Sequence, residues 1–191
     1  MIPYSRQSIN ESDIVAVVSA LKDDILTGGE KVGEFERAIA EYVGVKHVVA
    51  MNSATSALHA AYLALGVREG DEVITTPITF AATANAALMA GAEVKFCDIK
   101  TDGNIDESKI PALITPRTKV ITAVDFGGNP ANIGQILKLA RERNLKVIDD
   151  ASHALGSVQN GAKVILLEKA AGVSGAGTMA GVMFADHSDL Q

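Results

Sequence analysis

Residues 147–157, VIDDASHALGS, put two carboxylates and an imidazole where a buried apolar strand would stop. Lys146, Val147 and Ile148 read as a short parallel strand, and Asp149 and Asp150 follow at its carboxyl end. That end faces the ligand crevice in open α/β sheets. His153 comes one turn after Asp150, so both side chains can be aimed at one bound group. The same residues have a plainer use: Asp149 or Asp150 caps the next turn, and His153 is a hydrogen-bonded core histidine. Two further segments bear on the choice. Residues 52–58, NSATSAL, lead from the strand VVAM into a helix through small hydroxyl residues, an arrangement that offers free backbone N–H groups to an anion. An ordinary N-cap at Ser53 or Thr55 is the alternative. In ITTPITFAATANA the strand ends near Thr75, Pro77 turns the chain, and Phe80 opens a helix at the same sheet edge. The Phe80 ring is suited either to stacking on a planar ligand or to core packing.

The elements that must position these residues follow from periodicity. Helical patterns run over 11–22, 32–43, 56–65, 81–90 and 133–143, and strand-like runs over 47–50, 72–75, 93–96 and 120–124. Gly44, Gly66 and Gly91 each follow a helical pattern directly, as helix C-caps do. This alternation predicts right-handed βαβ units in a three-layer αβα fold around a mainly parallel sheet. After Gly161 the rhythm gives way to one apolar run, 164–167, and a Gly/Ala-rich segment, AAGVSGAGTMAG. The expected division is therefore a ligand-binding portion, 1–160, and a divergent tail, 161–191.

Composition narrows the function. A chain of 191 residues that is 48% hydrophobic and 21% charged can bury a substantial core. Its net charge of −6, with basic residues scattered among acidic ones, argues against a nucleic-acid partner. The single cysteine, Cys97, ends an apolar run and is expected to be a buried thiol, as suits a reducing cytoplasm. Arg6, Glu11 and Asp13 precede any apolar run, so no secretory leader is expected, and the uncharged stretch 170–185 is too short for a membrane span.

Taken together, a phosphate cradle, an aromatic face and an acid with a histidine fit pyridoxal phosphate. This cofactor combines an aromatic ring, a phosphate arm, a phenolic oxygen and a ring nitrogen that must stay protonated. A carboxylate at Asp150 would hold that proton.

The ordered segments YSRQSINESDI, LTGGEKVGEFE, NSATSALHAAY, ITTPITFAATANA, DIKTDGNIDE, TAVDFGGNP and DDASHALGS resemble the N-terminal half of the pyridoxal-phosphate-dependent nucleotide-sugar aminotransferases, of aspartate aminotransferase fold type. The resemblance implies that Ala54 and Thr55 bind the cofactor phosphate and that Phe80 stacks on the ring. It also implies that Asp150 pairs with the pyridine nitrogen and that His153 hydrogen-bonds the phenolic oxygen. The implied reaction transfers an amino group from glutamate to a 4-keto sugar nucleotide, in sites completed across a homodimer. One element departs from the family pattern. The lysine that bonds to the cofactor belongs to a motif close to S-F-H-x-x-K, roughly two dozen residues after the position of His153, and no such motif occurs here. Ungapped counting lands near Thr178; Lys163 and Lys169 are the later lysines, of which Lys169 is the candidate. The family's small C-terminal domain is expected to be absent, and the chain to be inactive in transamination. Two alternatives stand beside this reading. One is a non-catalytic or regulatory homologue without covalent cofactor. The other is a flavin or nicotinamide oxidoreductase, suggested by GAKVILLEKAAG with Glu168 as a ribose ligand, although a G-x-G-x-x-G turn ahead of it is missing.

Overall fold

The computed structural model of the chain describes residues 7–163 and 179–183. Its elements are α1 (Glu11–Ala20), α2 (Glu30–Val43), β1 (His47–Met51), α3 (Ala54–Ala64), β2 (Glu72–Thr75), α4 (Ala82–Met89), β3 (Glu93–Phe96), β4 (Thr118–Val124), α5 (Ile133–Glu142), β5 (Lys146–Asp150), β6 (Val158–Gln159), β7 (Ala162–Lys163) and β8 (Met179–Met183). Every strand and helix read from periodicity is present, with ends moved by at most a few residues.

Local chemistry accounts for the helix ends. Asn10 and Asp13 form a capping box at the start of α1, Ser53 caps α3, and Asn132 caps α5. At the far end of α2, Gly44 takes the left-handed conformation, φ 76°, that stops a helix cheaply only in glycine. Gly91 is required more strictly: at φ +91° an added Cβ would stand 2.9 Å from the backbone nitrogen of Glu69.

Four parallel strands in the order β3-β2-β4-β5 form the central sheet. Neighbouring residues on each strand face opposite sides, and the core divides accordingly. Ile74, Ile121 and Val147 pack on Ile136, Leu137 and Ala140 of α5. Val73, Val120 and Ile148 pack on Leu58 and Tyr62 of α3 and on Ala82, Ala86 and Ala87 of α4. Helices therefore cover both faces, which is the expected three-layer αβα arrangement. Four strands stand apart from this sheet: β6 and β7 form a short antiparallel ladder, and β1 pairs in parallel with β8, His47 against Met179 through Met51 against Met183. The helix α3 packs against both α4 and β8 and so joins the β1–β8 pair to the central sheet. Residues 179–183 come from the Gly/Ala-rich tail, whose composition carries no strand signal; the open edge of β1 supplies the hydrogen-bonding partner instead.

Candidate functional site

The carboxyl ends of β4 and β5 and the loop before α4 form a small open pocket walled by Thr79, Phe80, Val124, Asp125, Phe126, Asp150, Ser152 and His153. Three residues singled out in the sequence, Phe80, Asp150 and His153, thus meet in one place. Phe80 is 75% exposed at the pocket mouth. A ring left so open contributes little to the core, so its apolar face is available to a ligand. His153 is exposed on a turn closed by the Ala154 amide donating to the Ala151 carbonyl at 2.8 Å. The neighbouring turn at Phe126–Gly128 lies tightly against it. A Cβ on Gly128, where φ is +84°, would come within 3.0 Å of the His153 carbonyl oxygen, and Ser157 Oγ donates to the Gly128 carbonyl at 2.8 Å.

Asp150, the last residue of β5, is buried and held from two sides. Thr83 Oγ1 donates to its Oδ2 at 2.7 Å, while the hydroxyl and, at 3.4 Å, the amide of Ser152 donate to its Oδ1. Thr83 is itself anchored. Its hydroxyl lies 2.8 Å from Thr79 Oγ1, and its carbonyl accepts from the Tyr62 hydroxyl at 3.2 Å, which also contacts Thr122 Oγ1 at 2.8 Å. Burial pushes the Tyr62 phenol up to about 12, with the negative charge of Asp150 adding to the effect, so it works as a fixed hydroxyl and not as an acid.

Two more carboxyl groups crowd this end of the sheet. Asp125, 1% exposed, accepts from the Ala131 amide at 2.7 Å through Oδ1, while its buried Oδ2 has no hydrogen-bond partner. Burial raises its pKa to about 6, against the opposing Ala131 hydrogen bond and with the help of the nearby Asp150 charge. Asp149 is raised well above the usual carboxylate range, first by burial and then by the charges of Asp125 and Asp150, and its Oδ1 is buried and unpartnered. Among the described residues no lysine or arginine is ion-paired with any of the three. Nor does any group of three or more His, Cys, Asp or Glu side chains among them form a metal-binding arrangement. Such a pocket suits a planar group that brings a positively charged N–H toward Asp150 and lies flat against Phe80.

Ala54 and Thr55 begin α3 and are not among the residues that wall this pocket. Ser53 caps that turn by accepting from the Ser56 amide at 3.2 Å. The amides of Ala54 and Thr55 remain without an intrahelical acceptor, as the first amides of any α-helix do. Lys169 lies outside the described residues, and Lys163 pairs in register with Val158 in the β6–β7 ladder. Asp125, Thr83, Thr79 and Ser152 were not picked out as site residues from the sequence. Asp125 follows a strand end just as Asp150 does, so the same rule applied to 120–124 would have found it. Thr83 offers no comparable signal, since its partner is 67 positions away.

Comparison with known proteins supplies the last observations. Over 167 residues the chain is 60% identical to a UDP-4-amino-4,6-dideoxy-N-acetyl-beta-L-altrosamine transaminase of Campylobacter jejuni, covering 86% of this chain and 44% of that one. Among solved structures it superposes with a TM-score of 0.82 and 41% identity on Helicobacter pylori PseC, an aminotransferase involved in the biosynthesis of pseudoaminic acid, over 85% of this chain and 44% of that one. With a putative sugar aminotransferase of Streptococcus pneumoniae, Spr1654 in its PLP-form, the TM-score is 0.80 at 30% identity, over 85% and 46% of the two chains. The chain therefore spans less than half the length of these relatives. The family model itself matches residues 7–180, running through the pocket and past Asn160. On that match the chain belongs to the DegT/DnrJ/EryC1/StrS aminotransferase family.

Proposed function

We propose that the pocket is a pyridoxal phosphate site, and that these residues form the cofactor-binding part of an aminotransferase that moves an amino group from glutamate to a 4-keto nucleotide sugar on a pseudaminic-acid-type route. The observation that carries this reading is the meeting of Phe80, Asp150 and His153 in one pocket whose carboxylates have no cationic partner among the described residues. The donor set fits the group: a buried acceptor for a ring N–H, an open aromatic face, and an exposed imidazole beside both. When bound, pyridoxal phosphate supplies an electron sink. Asp150 would keep the ring nitrogen protonated through its negative charge. Phe80 would orient the ring and exclude water from one face, and His153 would hydrogen-bond the phenolic oxygen. The unpaired amides of Ala54 and Thr55 would receive the phosphate, aided by the partial positive charge at the start of α3.

The wider reading is drawn from the same relatives. A homodimer is included, and the exposed Ile14, Val15, Val17 and Val18 of α1 offer an apolar surface of the kind a second subunit covers. A cytoplasmic location agrees with a buried Cys97 thiol that burial pushes up to about 11, and none of the described helices is long and apolar enough to cross a membrane. Transamination also needs a lysine, and no lysine here stands in the family's motif. A cofactor-binding but non-transaminating chain is thus the second reading.

Titration of the purified chain with pyridoxal phosphate, followed by absorbance, tests the site. Saturable binding is expected, and no spectral change at any concentration overturns the proposal. Borohydride reduction with mass spectrometry then separates the two readings. Binding without a pyridoxyl adduct on Lys163 or Lys169, and without turnover of glutamate and a 4-keto sugar nucleotide, supports the second. An adduct on either lysine with turnover establishes the first.

A further inference from the structure

The hydroxyl chain behind Asp150 has a direction that hydrogen-bond chemistry determines. Thr83 has one hydroxyl proton, and its Oγ1 lies 2.7 Å from Asp150 Oδ2 and 2.8 Å from Thr79 Oγ1. An ionised carboxylate only accepts, so the Thr83 proton goes to Asp150. Thr79 must then donate to Thr83, which leaves Thr79, on the pocket wall, presenting only lone pairs. Each donor in such a series strengthens the next. The Tyr62 hydroxyl bonded to the Thr83 carbonyl fixes α4 against the sheet at this point, and Thr83 is fully buried, so the geometry is rigid.

We propose that Thr83, oriented by Thr79, is a positioning residue that aims the Asp150 carboxylate and weakens its hold on a proton, so that the proton stays on the ring nitrogen of the bound group. This inference rests on the pyridoxal phosphate reading above. Its chemistry is that of competition for one proton. A hydroxyl donating to a carboxylate stabilises the ionised form and makes it a poorer base. Without that donor Asp150 draws the proton toward itself, and the ring nitrogen loses it. The other groups facing Asp150 do not substitute for Thr83. Asp125 and Asp149 make no side-chain hydrogen bond to the Asp150 carboxylate, Ser152 serves the opposite oxygen, and His153 is exposed.

The test uses the full chain and pyridoxal phosphate labelled with 15N in the ring, whose nitrogen chemical shift reports protonation. Thr83→Val keeps the shape and removes the hydroxyl. The expected result is about tenfold weaker binding, the size of one hydrogen bond to a charged group, with the nitrogen signal moved toward the unprotonated position. Thr83→Ser restores both to within about twofold. Thr79→Val, at a half-buried position, shifts the signal in the same direction with about threefold weaker binding. It keeps the test standing if Thr83→Val fails to fold. A nitrogen signal at the parental position in Thr79→Val and in any folded Thr83→Val overturns the role of Thr83, provided Asp150→Asn does move it. If the parent chain binds no pyridoxal phosphate, or Asp150→Asn leaves the signal unmoved, the cofactor reading itself falls and takes this inference with it.

Discussion

Buried carboxylates occur at both ends of the central sheet, and the two ends treat them in opposite ways. At the amino end of β2, Glu72 is 1% exposed and fully partnered by Lys95 at 2.8 Å, Arg117 at 2.6 Å and Thr115 at 2.6 Å. Burial alone would raise its pKa. The hydrogen bonds from Lys95 and Thr115 and the charge of Arg117 outweigh that effect and hold it at about 2. At the carboxyl end, burial raises Asp125 and Asp149, the charge of Asp150 adds to both and that of Asp125 to Asp149, and no cation among the described residues answers them. A charge neutralised within the chain is part of the framework; a cluster left uncompensated is a place where something else brings the positive charge.

Removing a charge should therefore have opposite consequences at the two ends. The largest effect is expected for Glu72→Gln, which strips Lys95 and Arg117 of their shared partner and should cost about 3 kcal/mol in chemical denaturation at pH 7. Glu72 has a depressed pKa, so its contribution is present above about 4.5 and is lost as pH falls toward about 2. The variant should lack that acid-side loss, and an unchanged profile would mean that the ion pairs contribute nothing. Asp125→Asn should act the other way, stabilising the chain without cofactor by about 2 kcal/mol at pH 7. Its raised pKa means that the parent's stability declines as pH rises from 3.8 through about 6. Thermal melts across that window should flatten in the variant, and destabilisation at pH 7 would refute the assignment.

The remaining two predictions sharpen the comparison at the pocket. Asp150→Asn should weaken pyridoxal phosphate binding about tenfold, since one pKa unit corresponds to about 1.4 kcal/mol. Equal affinity in an equilibrium titration would place the ring nitrogen elsewhere. Phe80→Ala should reduce affinity about threefold, within the range of one aromatic contact. Because the ring is 75% exposed, the melting temperature should hardly move; a large drop would show that Phe80 belongs to the core.

Much of this was legible in the order of residues. Helices and strands came through because amphipathic periodicity is local, and pairs such as Val73 with Ile74 and Val147 with Ile148 already announce a strand buried on both faces. Phe80, Asp150 and His153 were legible because a parallel sheet sends its carboxyl ends to one crevice. The β1–β8 pair was not, since a Gly/Ala-rich stretch becomes a strand only when an open edge accepts it. The Glu72 network likewise joins it to Thr115 and Thr118, more than 40 positions away, and to Lys95 and Arg117, which read one by one as ordinary surface charges.

The chain's sequence by itself determined the succession of elements, the cap residues, the acidic balance and the residue types at the strand ends, because each depends on neighbours within a turn or a strand. Only the tertiary structure decided that Thr83 donates to Asp150 across 67 positions, that Asp125 is buried with one oxygen unpartnered, and that Ala54 and Thr55 are not among the residues that wall the pocket. Those facts depend on which strand lies beside which and on which helix covers them, and long-range packing sets both.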